Sequence, residues 1–413
     1  MLKRLCMVIM ISLILVACSS APDEALPTRV VLPDENSIPE TTQTVAQAEN
    51  LPTETPARSG LPTLPPAFTA TPTETLIPTR TPTNTPVIQL GAILFTYNND
   101  SIIRVNDDGT GQELIITFGV GIPISDMRLS PKGDLIAFIA PGNGSAREVW
   151  IANSTGTYTQ QVSCLGFSNV QNLTWSLDGQ ALAFTASQAP NEPMDIYTVG
   201  WQGANDCPIG NKQQLVLDRN STNFGGLAFS ADGSHLFFSD GQIYAVNLTD
   251  FSISEALSPS IGFGTDFNLA NSPSANTLAY LQDNGRQTGG VRGGNLTFLN
   301  VATLDRMNVL SQDTIPIQKF VWKRDGSAVL QSLENRVVLV PVGSGTSRTA
   351  TSAAARFPNA VFSPDEQSVA YLGEDRTTPT LSQIFTVSLN GGAPRQITAI
   401  TEGQIGDFVW VNR

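Results

Sequence analysis

A pattern of about fourteen residues returns six times along the chain: a short apolar run, a turn of the Ser-x-Asp-Gly type, and a second apolar run. The copies are MRLSPKGDLIAFIA from Met127, LTWSLDGQALAFTA from Leu173, LAFSADGSHLFFSD from Leu227, LANSPSANTLAYLQ from Leu269, VWKRDGSAVLQS from Val321 and VFSPDEQSVAYLG from Val361. Recurrence at intervals of forty to fifty-odd residues is the signature of a propeller or solenoid array, in which one repeat cannot bury its apolar surface alone. The turn has a local cause. Its Asp bonds the nearby backbone and its Gly supplies a positive φ, so Ser176-Leu177-Asp178-Gly179 reads as a tight hairpin turn between two strands. Ser130-Pro131-Lys132-Gly133, Ser230-Ala231-Asp232-Gly233 and Lys323-Arg324-Asp325-Gly326 fill the same slot. The aspartates are therefore turn residues before they are candidates for catalysis.

After each second strand comes an alternating third strand, a polar or Gly turn and a fourth strand, as in Glu148-VWIANSTGTYTQQVS-Cys164, Gln242-IYAVNLTDFSISEALS-Pro259 and Gln383-IFTVSLNGGAPRQIT-Ala399. Four strands joined by hairpins make one antiparallel blade. Two fragments are left over. Asp407-FVWVN-Arg413 reads as a first strand without a blade, and Ala92-ILFTYNNDSIIRVNDDGTGQELIIT-Phe118 reads as strands two to four without a first. Pairing them makes one more blade. The expected fold is an all-β, seven-bladed β-propeller, with six blades as the alternative, closed by pairing of the N- and C-terminal strands.

The S-P-D-G-like turn before an L-A-F strand, with the IIRVNDDGTGQELI and IFTVSLNGGAPRQIT hairpins, resembles the WD-like propeller repeats of the TolB C-terminal domain and its relatives. The resemblance covers about residues 88–413. It implies the propeller architecture, and TolB-type domains usually have six blades where the repeat here gives seven. The same repeat serves transport scaffolds, peptidase accessory domains and surface proteins, so it does not select a function.

Residues 1–18, MLKRLCMVIMISLILVAC, carry a basic start at Lys3 and Arg4 and an apolar run from Leu5 to Val16 too short for a stable membrane span, which reads as a secretory signal. Leu15-Val16-Ala17-Cys18 resembles a bacterial lipobox, which implies cleavage before a lipidated Cys18 and anchoring to the bacterial membrane. Residues 19–87 are rich in Thr-Pro pairs and poor in large apolar residues, so they read as a disordered, extended linker. At ~3.1 Å per residue in polyproline form, it reaches up to roughly 200 Å. The globular domain is expected over residues 88–413.

Loss of Lys3 and Arg4 with the signal takes the formal charge from −13 to −15, which argues against nucleic acid or anionic lipid as partner of the globular part. Of four cysteines, Cys6 leaves with the signal and Cys18 is lipidated on this reading, so processing leaves Cys164 and Cys207 as thiols. An extracytoplasmic compartment permits a disulfide between them. Their expected places on opposite faces oppose it, and the long loop Gly203 to Lys212 leaves both outcomes open.

No catalytic residue, metal site or cofactor is expected. His235, the one histidine, stands at an ordinary second strand, and no G-x-S-x-G elbow occurs. Asn106-Asp107-Asp108-Gly109 lacks the later bidentate Glu of a calcium loop and sits where a hairpin turn is due. The longest loop on the face of second-to-third-strand connections is Gln282 to Asn295, which sets Arg286 and Arg292 among glycines as a candidate binding loop. Three functions fit: a surface-tethered scaffold that binds a protein or envelope component, a polysaccharide lyase or hydrolase with its site in the central funnel, and a sensor or accessory subunit. The first is preferred, acting as a monomer.

Overall fold

In the computed structural model, residues 91–412 are described except 120, 143, 202–212, 222–223, 259–266, 289–290, 311–319, 334, 344–345, 353–358 and 376–380. The expected signal and linker therefore lie outside the described residues. Those described are all-β, with no helix, and form seven antiparallel sheets, six of four strands and one of three. We number blades 1 to 6 after the six repeats. The seventh sheet is the closing blade, in which Ile405–Val411 pairs antiparallel with Ala92–Tyr97, followed outward by Ser101–Asn106 and Glu113–Thr117. Ala92 lies opposite Val411, Ile93 opposite Trp410 and Phe95 opposite Phe408. The seven-bladed ring and its closure through both ends of the domain are as the repeat implies.

Seven hydrophobic clusters hold the ring, each made by two adjacent blades. Along one strand the side chains alternate between two such clusters. Phe408 and Trp410 pack toward Ala370, Ile384 and Ile400 of blade 6, while Val409 and Val411 pack toward Met127 and Ile136 of blade 1. Both faces of each inner sheet are buried, which is why these strands read as continuous apolar runs and not as strict alternation. At one inner position an aromatic ring recurs: Phe95, Phe138, Phe184, Phe238, Tyr280 and Tyr371 are all buried. Blade 5 places Gln331 there, fully buried, with neither amide atom hydrogen-bonded.

The repeated turn is a hydrogen-bonded unit. Gly179 N donates to Ser176 O at 2.9 Å with Gly179 at φ +72°, and Gly233 and Gly326 repeat this at +71° and +70°. The Ser176 hydroxyl donates to Asp178 and accepts from Ala181 N at 2.9 Å, and Ser230 and Ser363 do the same with Asp232, His235 N, Asp365 and Ser368 N. These bonds hold Asp178 and Asp232 below the ordinary carboxylate value, led by the Ser176 and Ser230 hydroxyls. Asp325 falls from 3.8 to about 2, led by its bond to Lys323 and then by Ser327. A depressed folded pKa adds stability above the unfolded value that is lost as pH falls through the folded one. Replacing Asp178, Asp232 and Asp325 together by Asn should lower the melting temperature at pH 7 and flatten its fall between about pH 4 and pH 2. An unchanged acid slope would show that these turns do not set it.

The third and fourth strands carry a second device. Val149 N, Ile243 N and Ile384 N each donate to a hydroxyl near the end of their own blade, Ser163, Ser258 and Thr398, at 2.8, 2.9 and 2.8 Å. The preceding residue in each case, Glu148, Gln242 or Gln383, bonds the same terminal segment. In blade 3 the expected fourth strand is reduced to the bridge Val246–Ile253, with Ser254 N and Leu257 N still donating to Ala245 O and Ile243 O. Phe251 in its turn has φ +59°, a left-handed conformation that interrupts a regular ladder.

Candidate functional site

The first strand of every blade lines the central channel. In blades 1, 2 and 4 this strand contains a bulge at Asp126, Asn172 and Asn268, each left-handed at φ +54°, +56° and +54°. Short polar Asx side chains tolerate that conformation. The bulges aim polar groups along the ring. Asp407 Oδ2 of the closing blade accepts from Met127 N at 3.3 Å, and Asp126 Oδ2 of blade 1 accepts from Leu173 N of blade 2 at 2.7 Å. The Arg128 guanidinium meets Asp126 at 2.6 Å and donates through Nε to Leu173 O at 3.1 Å. Two channel tryptophans add to this stitching. Trp175 Nε1 donates to Arg128 O at 3.3 Å, and Trp322 Nε1 to Ala270 O at 3.0 Å, each reaching the preceding blade.

The channel encloses a cavity of about 380 Å³. Its wall is mostly apolar and aromatic, with Met127, Trp175, Phe229, Phe320, Trp322 and Phe362 among the lining side chains. Pro131, Leu177, Pro273 and Arg324, all from the repeated turns, also line it and place its mouth at that end. The charged groups on the wall are Arg128, Arg324, Glu366 and Asp407. All four are engaged between blades: Arg128 and Asp407 as above, Glu366, whose Oε1 accepts from Arg324 N at 2.6 Å while Oε2 lies 3.8 Å from Lys323 Nζ, and Arg324, whose guanidinium bonds a carbonyl of blade 6. Such a wall can stack apolar or aromatic groups, and the carboxylates on it serve ring contacts.

Cys18 and Cys207 fall outside the described residues. Cys164 follows the short fourth strand of blade 1, Thr159–Gln161, and is disulfide-bonded. The expected loop from Gln282 to Asn295 is not a loop. The second and third strands of blade 4, Thr277–Thr288 and Val291–Asn300, run on through it, with Gln287 opposite Arg292 and a bulge between Asp283 and Gln287. Antiparallel pairing costs less than leaving a dozen backbone groups unbonded, and glycines do not forbid it. Arg286 and Arg292 thus belong to the strands of an extended hairpin.

His235 begins the second strand of blade 3, with Nδ1 at 2.7 Å from Ser234 Oγ. Asn106-Asp107-Asp108-Gly109 is the hairpin turn expected of it. Asp107 Oδ2 accepts from Gly91 N at 3.0 Å, and Asp108 Oδ1 accepts from Thr110 N at 2.9 Å. Burial raises the Asp107 carboxyl, and the Thr110 hydroxyl lowers that of Asp108. Among the described residues no group of three or more His, Cys, Asp or Glu is placed to hold a metal ion.

Sequence reasoning missed the channel residues, although it had quoted their strands and turns. The signal available was the second turn position, Pro131, Leu177, Pro273 and Arg324, which is variable in chemistry and points inward.

No protein-family model and no curated protein matches the chain. Solved propeller structures do. One of two prolyl endopeptidases analysed for inter-domain dynamics aligns at TM-score 0.50 and 12% identity, over 77% of this chain and 50% of that one. An oligogalacturonate lyase solved with manganese aligns at 0.50 and 10%, over 75% and 84%. TolB from Acinetobacter baumannii aligns at 0.45 and 13%, over 78% of this chain and 66% of that one, so less than two thirds of its length is spanned. At 10 to 12% identity what the first two share with this chain is the propeller fold.

Proposed function

We propose that the chain is a lipoprotein held at the outer side of a bacterial membrane through Cys18, whose propeller binds a protein or another envelope component through the channel. The observation that carries this reading is the channel itself. An aromatic wall encloses about 380 Å³, and Arg128, Asp407 and Glu366 on it are held in contacts between blades. That arrangement suits desolvation of an apolar group better than proton transfer, which needs an acid or base within reach of the substrate. Closure of the ring fixes the wall on strands, so a ligand meets a preformed surface.

Two measurements test this. Mass spectrometry of the membrane-extracted N-terminus should find an acylated Cys18, and Cys18→Ala should accumulate unprocessed or be released; an unmodified N-terminus elsewhere removes the anchor. A photo-crosslinking residue at Leu177, at the channel mouth, should capture a partner in intact cells, whereas one at Leu114, 59% exposed on the outer strand of the closing blade, should not. Adducts at Leu114 alone, or none at Leu177, overturn the channel as the binding site.

A further inference from the structure

Arg324 has an unusual course. It starts in the repeated turn of blade 5, and its Nη1 donates to Pro364 O of blade 6 at 3.0 Å. Its Nη2 ends 3.3 Å from where a Cβ on Gly133 of blade 1 would stand. Between blades 6 and 1 lies the closing blade, whose Asn412, just past its first strand, donates through Nδ2 to Lys132 O at 3.4 Å. The guanidinium therefore lies at the channel mouth, reaching from the turn of blade 5 past that of blade 6 toward that of blade 1.

Neighbouring charges do not neutralise it. Lys323 takes both nearby carboxylates, Asp325 at 2.8 Å and Glu366 at 3.8 Å. Glu366 meets Arg324 through the backbone N–H and not through the guanidinium. Among the described residues no carboxylate forms an ion pair with the Arg324 side chain. A chain of formal charge −13 thus keeps one unpaired guanidinium over an aromatic cavity.

We propose that this mouth is a carboxylate site that receives the carboxy-terminal residues of a partner polypeptide, with Arg324 holding the terminal carboxylate and the channel wall taking the last, apolar side chain. The proposal rests on the channel being the binding site and names what enters it. A cavity of about 380 Å³ is at the small end of ligand pockets and admits a chain end, not a folded surface. A guanidinium presents two parallel N–H donors that match one carboxylate. Of the two arginines among the described residues that line the cavity, Arg128 is paired with Asp126 and Arg324 has no ion pair, which suits a single negative charge. Asp178, Asp232, Asp325 and Asp365 on the surrounding turns disfavour a multiply charged anion such as phosphate. Pro131, Leu177 and Pro273 beside Arg324 add apolar surface to the mouth, where Glu366 is already engaged by the Arg324 backbone N–H and Lys323.

The test uses the mature, lipidated chain in lipid nanodiscs, titrated with N-acetylated tetrapeptides ending in Leu, Phe or Val. Binding is read by calorimetry and by fluorescence of the wall tryptophans. Peptides with a free carboxylate should bind at least about tenfold more tightly than their carboxamides. Arg324→Gln should remove that difference by lowering free-acid affinity to that of the carboxamides, in a protein that still melts in one cooperative transition. Leu177→Glu, which adds a negative charge at the mouth, should abolish free-acid binding. Equal affinity for acids and amides, or no binding by either pool, overturns the proposal. Octanoate binding as tightly as the peptides would overturn the polypeptide as source of the carboxylate. A partner crosslinked at Leu177 that still binds after loss of its own C-terminal residues would overturn this proposal and leave the channel reading intact.

Discussion

Truncation after Gly406 should unfold the domain. The deletion removes the strand that lies opposite Ala92–Tyr97 and with it Phe408, Val409, Trp410 and Val411, which are 5%, 6%, 6% and 0% exposed. Loss of a buried aromatic costs ~3–5 kcal/mol, and two are lost here. Domains of this kind have ~5–15 kcal/mol of total stability. The damage exceeds those two side chains. Ile93 and Phe95 lose their cover in the cluster with blade 6, Ala92 and Leu94 lose theirs in the cluster with blade 1, and the backbone edge of Ala92–Tyr97 becomes an open strand prone to pairing with another chain. The expected product is aggregated or lacks a cooperative thermal transition by calorimetry. A truncated domain that melts at the parent temperature would show that the ring does not depend on its closing strand. Phe408→Leu, which keeps the strand and most of the volume, should give a folded domain with a lower melting temperature.

Gln383→Ala should produce the next largest loss. Gln383 is fully buried, and its amide bonds four groups at once: Oε1 accepts from the Thr398 hydroxyl at 2.8 Å and from Ile400 N at 3.1 Å, and Nε2 donates to Ile400 O at 2.7 Å and to Asp375 Oδ2 at 3.1 Å. Alanine leaves the Ile400 N–H and C=O without partners in a closed space. Each buried unsatisfied group costs ~1–3 kcal/mol, so the variant should lose about 3 kcal/mol in urea denaturation at unchanged m-value. The segment it holds, Thr398 to Ile400, leads from blade 6 into the closing strand, with Ile400 packed beside Phe408. Loosening it weakens closure from the other side. A midpoint equal to that of the parent would mean that water replaces the amide and that the network adds no stability.

The number of blades and their hairpin turns were legible in the sequence because each depends on residues close together in the chain, and the closure of the ring because each of its two halves is such a local pattern. Asp178 bonds Ser176 two residues away, Gly179 supplies its φ within the same turn, and Ser163 reaches Val149 within one blade. The orphan strand at Asp407 and the orphan sheet at Ala92 were visible for the same reason: each was a repeat with a part missing. The hairpin through Gln282 to Asn295 was misread because glycines mark a loop by composition, whereas cross-strand backbone bonds override that preference.

The channel was decided by tertiary structure alone. Arg128 reads as an available cation until the bulge at Asp126, forty-odd residues before Leu173, folds both onto the next blade. Glu148 and Gln383 occupy one repeat position, yet one is an acid and the other an amide. Glu148 receives two backbone N–H groups, from Leu165 and Gly166, while Gln383 must satisfy both an N–H and a carbonyl of Ile400. Arg324 becomes a strap at the cavity mouth only because the ring sets the turns of blades 5, 6 and 1 near one another. Residues 133, 324 and 364 each sit in a copy of the repeated turn, and the curvature of seven packed blades is what brings those copies together.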